Sequence, residues 1–180
     1  MKRILLFGAG KSATVLIQYL VKTITQEGWH LTVVDVNLKL AQEKIGATPN
    51  TLALAFDITD AALRRQHISN ADIVISLLPP VLHILVAKDC IACKKNLLTA
   101  SYVDGEMKKL APQIEAAGVL FLCEMGLDPG IDHMSAKKLI DAITDKSGNI
   151  TSFISHCGGL VAPESDDNPW HYKISWNPRN

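Results

Sequence analysis

Short apolar runs rich in valine, isoleucine and leucine alternate with longer amphipathic segments over the first 125 residues. This order is typical of a parallel sheet whose strands are connected by helices. Every gap between the runs is long enough for a right-handed crossover, so an α/β, doubly wound parallel sheet is predicted. The predicted strands are 3–7, 31–35, 51–56, 73–77, 96–99 and 119–122, and the predicted helices are 12–23, 38–45, 61–67, 82–93 and 106–117.

The pattern changes after residue 123. A helix is predicted over 131–143, followed by a strand over 150–157 and then a loop dense in proline, aspartate, glycine and tryptophan. Residues 170–180 have the pattern of a further strand, with no later segment to cover its apolar side. We therefore expect a second α+β unit that begins at residue 126 and is truncated. An open apolar edge of this kind favours association with another chain, so a homodimer is expected.

Composition excludes several classes of function. The chain has 180 residues, of which 48% are hydrophobic, and carries 18 basic and 18 acidic side chains, as expected for a globular protein with a buried core. The zero net charge and the lack of a basic cluster argue against a nucleic-acid partner. No apolar run reaches the roughly 18 residues of a membrane-spanning helix, which predicts no membrane partner and a cytoplasmic location. The opening MKRILLFGAG breaks at Gly8 and predicts a first strand instead of a signal peptide.

Cysteine spacing gives little support for a metal or redox site. Cys90 and Cys93 form a CxxC pair, which suits a redox couple or half of a zinc site. A structural zinc site needs a second pair or two spaced histidines, and Cys123 and Cys157 lie far from each other in sequence. We therefore interpret the pair as packed helix thiols and predict no metal.

A glycine-rich turn follows the first predicted strand. FGAGKSA fits the pattern G-x-G-x-x-A, in which Gly8 permits the turn, Gly10 admits a pyrophosphate and Ala13 lets helix and strand pack closely. Lys11 and Ser12 complete the loop, whose N–H groups and helix dipole would face the phosphates. A phosphate-loop motif is excluded because Leu5 stands where glycine is required. The alternative is an ordinary strand-to-helix turn.

Asp35 ends the second predicted strand, where an acidic side chain accepts hydrogen bonds from the adenosine ribose of a bound dinucleotide. It could instead cap the next helix. A carboxylate at this position would repel a 2′-phosphate, which favours NAD over NADP. Asp57, after the third strand, and Leu77, Leu78 and Pro79, after the fourth, are placed at the carboxyl edge where ligands bind such sheets. We therefore predict a Rossmann-type dinucleotide-binding domain over 1–125 and the beginning of a substrate-binding domain over 126–180.

The stretch GLDPGIDHMSA concentrates charge at a junction before a predicted helix. Asp128 followed by Pro129 fits a helix N-cap with proline at the first helical position. Gly130 gives the backbone more conformational freedom where the chain enters the helix. Asp132 and His133 lie one turn later. They are either solvated first-turn residues or a polar cluster that binds substrate in a cleft.

Together these motifs resemble a known family. The stretches GAGKSA, SLLPPVLH, TASYVDGEMKKL, EMGLDPGIDHMSA and SHCGGLVAPESDDNPWHYKISW are similar to the amino-terminal portion of saccharopine dehydrogenases, specifically the glutamate-forming type, or saccharopine reductases. The resemblance implies an NAD(P)-dependent oxidoreductase of lysine and aminoadipate metabolism. Such an enzyme interconverts saccharopine with glutamate and 2-aminoadipate 6-semialdehyde, which are small amino-acid substrates.

The resemblance also implies site residues. Residues matching Asp128, Tyr102 and Cys157 are associated with catalysis in the family. The reaction moves protons as well as a hydride. We expect Asp128 to act as the base and Tyr102 to donate a proton or position substrate, with Cys157 or His156 lining the far wall. Tyr102 could instead be a strand-end aromatic that caps the core, and Cys157 a packed thiol.

Ser101, Asp132 and His133 are the expected substrate-binding residues.

The chain departs from the family in two ways. NADP-dependent members carry an arginine just past the second strand, where this chain has Asp35, Val36 and Asn37, so NAD and NADP both remain open. Members of the family are also more than twice as long as this chain. Two alternatives remain. The chain could be a non-catalytic nucleotide-binding fragment or module, or it could belong to a related amine dehydrogenase such as lysine 6-dehydrogenase or carboxynorspermidine synthase.

Overall fold

The structure, a computed structural model, describes residues 1–158 and 161–173. Its centre is a six-stranded parallel sheet with strand order β3-β2-β1-β4-β5-β6. The order reverses between β1 and β4, as in doubly wound folds, so the predicted α/β Rossmann-type architecture is confirmed. The strands are β1 (Arg3–Phe7), β2 (His30–Asp35), β3 (Thr51–Ala55), β4 (Ile73–Ser76), β5 (Asn96–Thr99) and β6 (Phe121–Leu122).

The helices follow the predicted order with some changed boundaries. A 3-10 turn, Lys11–Ala13, precedes the first helix. Residues 106–117, predicted as one helix, form two, because Pro112 has no N–H to continue the hydrogen-bond ladder across residue 110. The helices are α1 (Thr14–Glu27), α2 (Leu38–Ile45), α3 (Ala61–Asn70), α4 (Pro80–Ala92), α5 (Gly105–Lys109), α6 (Ala111–Ala117) and α7 (Ile131–Thr144).

Two apolar cores lie on the two faces of the sheet. On β1 the side chains alternate, with Leu5 and Phe7 in one core and Ile4 and Leu6 in the other. Both faces of a parallel sheet are buried when helices cover them, which is why the central strands are nearly continuous apolar runs. Cys90 is fully buried in the first core, in agreement with the packed-thiol interpretation.

A buried ion pair links two helices that cover this sheet. The Asp89 carboxylate on α4 accepts hydrogen bonds from Arg64 Nε at 2.7 Å and from Arg65 Nη2 at 2.9 Å. Arg64 also donates from Nη1 to the carbonyl oxygen of Ile58 at 2.6 Å. Arg64 and Asp89 are both buried, so their charges stabilise each other where water cannot.

The chain divides into two compact units, Met1–Asp132 and His133–Asn180. In the second unit the described residues after α7 contain a 3-10 turn, Pro163–Ser165, and no strand, so the strand predicted over 150–157 is wrong for this structure. The apolar run there has no partner strand in the described part of the unit with which to form a ladder. The further strand predicted over 170–180 lies mostly outside the described residues, and the domain boundary at residue 126 stays a prediction.

None of the helices in the described ranges is both long enough and apolar enough to cross a membrane.

Candidate active site

A cavity of about 310 Å³ opens at the carboxyl ends of the central strands. All six strands are parallel, so the segments that follow them meet at one edge of the sheet. Seven of the ten predicted cofactor residues therefore converge here, including both leucines of SLLPP. The lining residues are Phe7, Gly8, Gly10, Val34, Asp35, Val36, Phe56, Asp57, Ile58, Leu77, Leu78, Pro79 and Leu82.

The two glycines of the turn have different roles. Gly8 has φ +97°, and a Cβ there would lie 2.7 Å from the carbonyl oxygen of Leu77, so only glycine fits. A Cβ on Gly10 would meet no atom within 4 Å, which leaves open space on the cavity side of the turn. Lys11 and Ser12 are exposed, whereas Ala13 is buried against the sheet. The turn thus provides the open cradle that a pyrophosphate requires.

The Asp35 carboxylate connects the glycine-rich turn to the turn that follows β2 through two hydrogen bonds. Its Oδ2 accepts a hydrogen bond from the Ala9 N–H at 2.7 Å, and its Oδ1 accepts one from the Asn37 N–H at 2.9 Å. The alternative that Asp35 caps the next helix is wrong, because α2 begins at Leu38 and its cap is Asn37, whose side chain accepts from the Leu40 N–H. Each carboxylate oxygen keeps a lone pair for a ribose hydroxyl.

Lys44 is a contact of the glycine-rich turn that the sequence pattern does not reveal. From α2 its Nζ donates to the carbonyl oxygen of Gly10 and, at 2.8 Å, to Thr14 Oγ1. A lysine nine residues after Asp35 matches no motif, and only the packing of α2 against α1 brings it here. Its ammonium group places a positive charge beside the predicted phosphate site.

Asp57, which follows β3, lines the same cavity as the glycine-rich turn. Its Oδ1 accepts hydrogen bonds from both the backbone N–H and the hydroxyl of Thr59, each at 2.8 Å. These bonds lower the pKa of the Asp57 carboxyl below its ordinary value. An ionised acceptor at this wall favours hydroxyl or amine groups over phosphate.

Tyr102 and Asp128 meet at the ends of two neighbouring strands. The Tyr102 hydroxyl donates a hydrogen bond to Asp128 Oδ1 at 2.9 Å, and both side chains are exposed. Tyr102 follows β5 and Asp128 follows β6, which is the carboxyl edge again. The Tyr102 side chain is 49% exposed, and the alternative that it caps the core at a strand end stays a prediction.

The predicted N-cap role of Asp128 is also wrong. α7 begins at Ile131, so Asp128 lies three residues before the first helical residue. Asp132 instead closes the turn, because its Oδ1 accepts from the Gly130 N–H at 2.8 Å. Gly130 has φ +149°, and a Cβ there would lie 2.2 Å from the carbonyl oxygen of Gly126. The tight loop between these glycines projects Asp128 away from the helix and towards Tyr102.

A buried histidine, His83, is the last residue of the SLLPPVLH stretch, and the sequence analysis gives it no role. His83 Nδ1 is 2.8 Å from Ser76 Oγ on β4, and His83 Nε2 is 2.9 Å from Ser101 Oγ after β5. Burial lowers the pKa of His83, while the charge of Asp104 opposes that shift. Ser101 and Tyr102 line one narrow cleft with His83.

His133 and Cys157 belong to the second unit, and both are exposed. Their predicted substrate-binding and catalytic roles stay predictions, as does that of the neighbouring His156.

Comparison with known proteins decides the family. Residues 4–122 match the saccharopine dehydrogenase NADP binding domain, and residues 126–180 match the saccharopine dehydrogenase C-terminal domain. The chain belongs to the saccharopine dehydrogenase family. The predicted resemblance is thereby confirmed, as is the dinucleotide-binding fold, with NAD and NADP both compatible with the match.

Individual relatives extend this result. The chain is 38% identical to the glutamate-forming, NADP-dependent saccharopine dehydrogenase of Saccharomyces cerevisiae, over 99% of this chain and 39% of that protein. It is 40% identical to an alpha-aminoadipic semialdehyde synthase of Arabidopsis thaliana, over 97% of this chain and 18% of that protein. The structure superposes on apo saccharopine dehydrogenase from S. cerevisiae with a TM-score of 0.82, again over 99% of this chain and 39% of the other. The chain thus spans from about a fifth to about two fifths of these relatives' lengths.

Proposed function

We propose that this chain supplies the dinucleotide site and the catalytic carboxylate of an enzyme that interconverts saccharopine with glutamate and 2-aminoadipate 6-semialdehyde. The observation that carries the proposal is the Tyr102–Asp128 hydrogen bond, which lies at the same carboxyl edge of the sheet as the open glycine-rich turn in a saccharopine dehydrogenase fold. The names of the fungal relatives support the glutamate-forming type.

Each residue has a distinct task in the proposed reaction. A bound nicotinamide ring supplies or accepts the hydride. The glycine-rich turn holds the pyrophosphate through its N–H groups, and Asp35 accepts hydrogen bonds from the ribose. Asp128 takes a proton from the substrate nitrogen at its carboxylate, and the Tyr102 hydroxyl holds that carboxylate in place by donating to Oδ1. Cys157 and His133 belong to the proposal as further contacts of the substrate.

Within this function we propose NAD in preference to NADP. The Asp35 carboxylate is held between two backbone N–H groups and therefore cannot swing away from the ribose edge of the cavity. A 2′-phosphate would face that fixed negative charge. The name of the matching domain favours NADP, so the comparison of the two cofactors is the sharpest test of this part.

We also propose a cytoplasmic homodimer. β6 is an edge strand of the sheet, and two large apolar side chains, Leu120 just before it and Leu122 within it, are exposed. Exposed edges of this kind pair with a second chain. Light scattering at several concentrations tests the proposal, and a monomer at every concentration contradicts it.

Steady-state turnover distinguishes the proposed function from its rivals. The protein should oxidise saccharopine with release of glutamate and should not oxidise lysine or carboxynorspermidine. Turnover of either of those amines in place of saccharopine would favour the related amine dehydrogenases. Dinucleotide binding without turnover of any of the three would favour a nucleotide-binding module.

A further inference from the structure

The hydrogen bonds around His83 are directional, and their direction follows from burial. Ser76 is fully buried on β4, and among the described residues the only hydrogen-bond partner of its hydroxyl is His83 Nδ1. A hydroxyl carries a single hydrogen, and a buried donor without an acceptor is costly. The Ser76 hydrogen therefore points at Nδ1, which must be the unprotonated nitrogen of the ring.

The remaining ring nitrogen is then a donor. A neutral imidazole has one N–H and one bare nitrogen, so His83 carries its hydrogen on Nε2. Nε2 lies 2.9 Å from Ser101 Oγ, and thus donates to that oxygen. The burial that lowers the pKa of His83 keeps the ring neutral, although Asp104 faces it and Tyr102 lines the same cleft. Ser101 thereby accepts the Nε2 hydrogen with one lone pair of its hydroxyl oxygen, and its own hydrogen points elsewhere and is left to donate.

We propose that Ser76 and His83 form a relay that sets the Ser101 hydroxyl as a hydrogen-bond donor to a carboxylate oxygen of the amino-acid substrate. Ser101 is half-buried and adjoins Tyr102, which holds Asp128. A donor at residue 101 and an anionic acceptor at residue 128, connected through Tyr102, match the two charges of an α-amino acid, with the carboxylate at Ser101 and the amine at Asp128. His83 is a positioning residue in this arrangement, and the assignment rests on the proposed function.

The tautomer can be tested without turnover. The chain contains six histidines, and the resonances of His83 can be assigned by their loss from a His83→Gln variant. Nitrogen-15 NMR of the histidine-labelled protein near neutral pH should show the ring hydrogen on Nε2 and a bare Nδ1. A ring hydrogen on Nδ1, or on both nitrogens, overturns the relay.

Two isosteric replacements test the effect on substrate. The glutamine amide nitrogen occupies the place of Nε2 and can still donate to Ser101, whereas asparagine reaches only the place of Nδ1. We expect Ser101→Ala and His83→Asn to raise the KM for saccharopine about 10-fold to 100-fold, as for loss of a hydrogen bond to a charged group, with little change in the KM for the dinucleotide. His83→Gln should keep a KM within about threefold of normal.

The possible outcomes distinguish a failure of the relay from a failure of the proposed function. If the role of His83 were purely structural, His83→Asn and His83→Gln would both lower the melting temperature and would have equal KM values for saccharopine. That result contradicts the relay. An unchanged KM in Ser101→Ala contradicts it as well. If the protein does not turn over saccharopine, the proposed function fails, while the NMR result still decides the direction of the hydrogen bonds.

Discussion

The Tyr102 hydroxyl and the Asp128 carboxylate lie 2.9 Å apart, although 26 residues separate them in the chain. They are adjacent because β5 and β6 are neighbouring parallel strands whose carboxyl ends open at the same edge. Asp128 has no capping duty towards α7, since the loop before the helix is closed by Asp132. The two carboxylates of this stretch therefore have different tasks and can be removed separately.

Asp128→Asn should reduce saccharopine turnover by about 10²-fold to 10⁴-fold, the range for loss of a general acid-base group. The amide oxygen still accepts from Tyr102, so the geometry is kept while the base is lost. Asp132→Asn is the matched control, because its amide oxygen still accepts from the Gly130 N–H. Steady-state assays from about pH 6 to 10 measure both variants. A dead Asp132→Asn enzyme beside a normal Asp128→Asn enzyme would reverse the assignment.

Replacement by alanine should reduce stability at Gly8 and dinucleotide binding at Gly10. Gly8→Ala drives a Cβ into the Leu77 carbonyl in a backbone conformation that alanine rarely adopts, so we expect a loss of about 1–3 kcal/mol of unfolding free energy. Gly10→Ala meets open space and should fold normally. Its methyl group occupies the cradle instead, so calorimetry should show weaker NADH binding, and Gly10→Asp should abolish it. Unchanged affinity in Gly10→Asp would remove the dinucleotide site.

Asp35 should set the choice between the two cofactors. Asp35→Asn keeps an acceptor for the glycine-rich turn and removes the charge, so the affinity for NADPH relative to NADH should rise by about 10-fold. Calorimetry with both dinucleotides on both proteins measures the ratio. Wild-type protein that binds NADPH more tightly than NADH would show that Asp35 does not govern the choice. Lys44 beside Gly10 would then be the first cation to replace.

The Arg64–Asp89 pair should be the strongest electrostatic contribution to stability among the pairs described here. Asp89→Asn leaves the Arg64 guanidinium buried without its counter-charge, and we expect it to cost about 3–5 kcal/mol. Glu43→Gln breaks the solvated Lys39–Glu43 pair on α2 and should cost less than about 1 kcal/mol. Urea denaturation measures both values. Equal losses in the two variants would mean that the buried pair adds nothing beyond a surface one.

His83 should make stability depend on pH in a defined direction. Its pKa in the folded protein lies below the ordinary value of 6.5, because burial disfavours the charged ring. The unfolded chain therefore binds a proton more readily, and folding should lose stability as the pH falls through 6.5. His83→Gln lacks a titrating group, so the difference in unfolding free energy between the two proteins should narrow from about pH 8 to about pH 5. A difference that is constant with pH would contradict a neutral buried ring.

The sequence alone determined the architecture of the sheet and predicted several residues that line the cavity at its carboxyl edge. Alternation of β-rich runs with amphipathic segments is a local property, and it fixed the strands of the sheet except β6, which proved two residues long. Gly8, Gly10 and Asp35 were recognisable because their spacing within one strand–helix–strand unit sets their geometry. The SLLPP segment could be placed because every parallel strand ends at the same edge.

Tertiary structure decided what the side chains do there. The spacing of Asp128 and Pro129 predicts an N-cap, but the loop closed by Gly126 and Gly130 frees Asp128 to meet Tyr102. The contacts of Lys44 and His83 could not be predicted from the sequence, although His83 ends the SLLPPVLH stretch. Their partners come from other elements of the fold and are brought to them only by helix–helix and helix–sheet packing. A local pattern encodes the backbone path of a strand or turn, whereas a hydrogen bond between distant segments exists only once the whole sheet has formed.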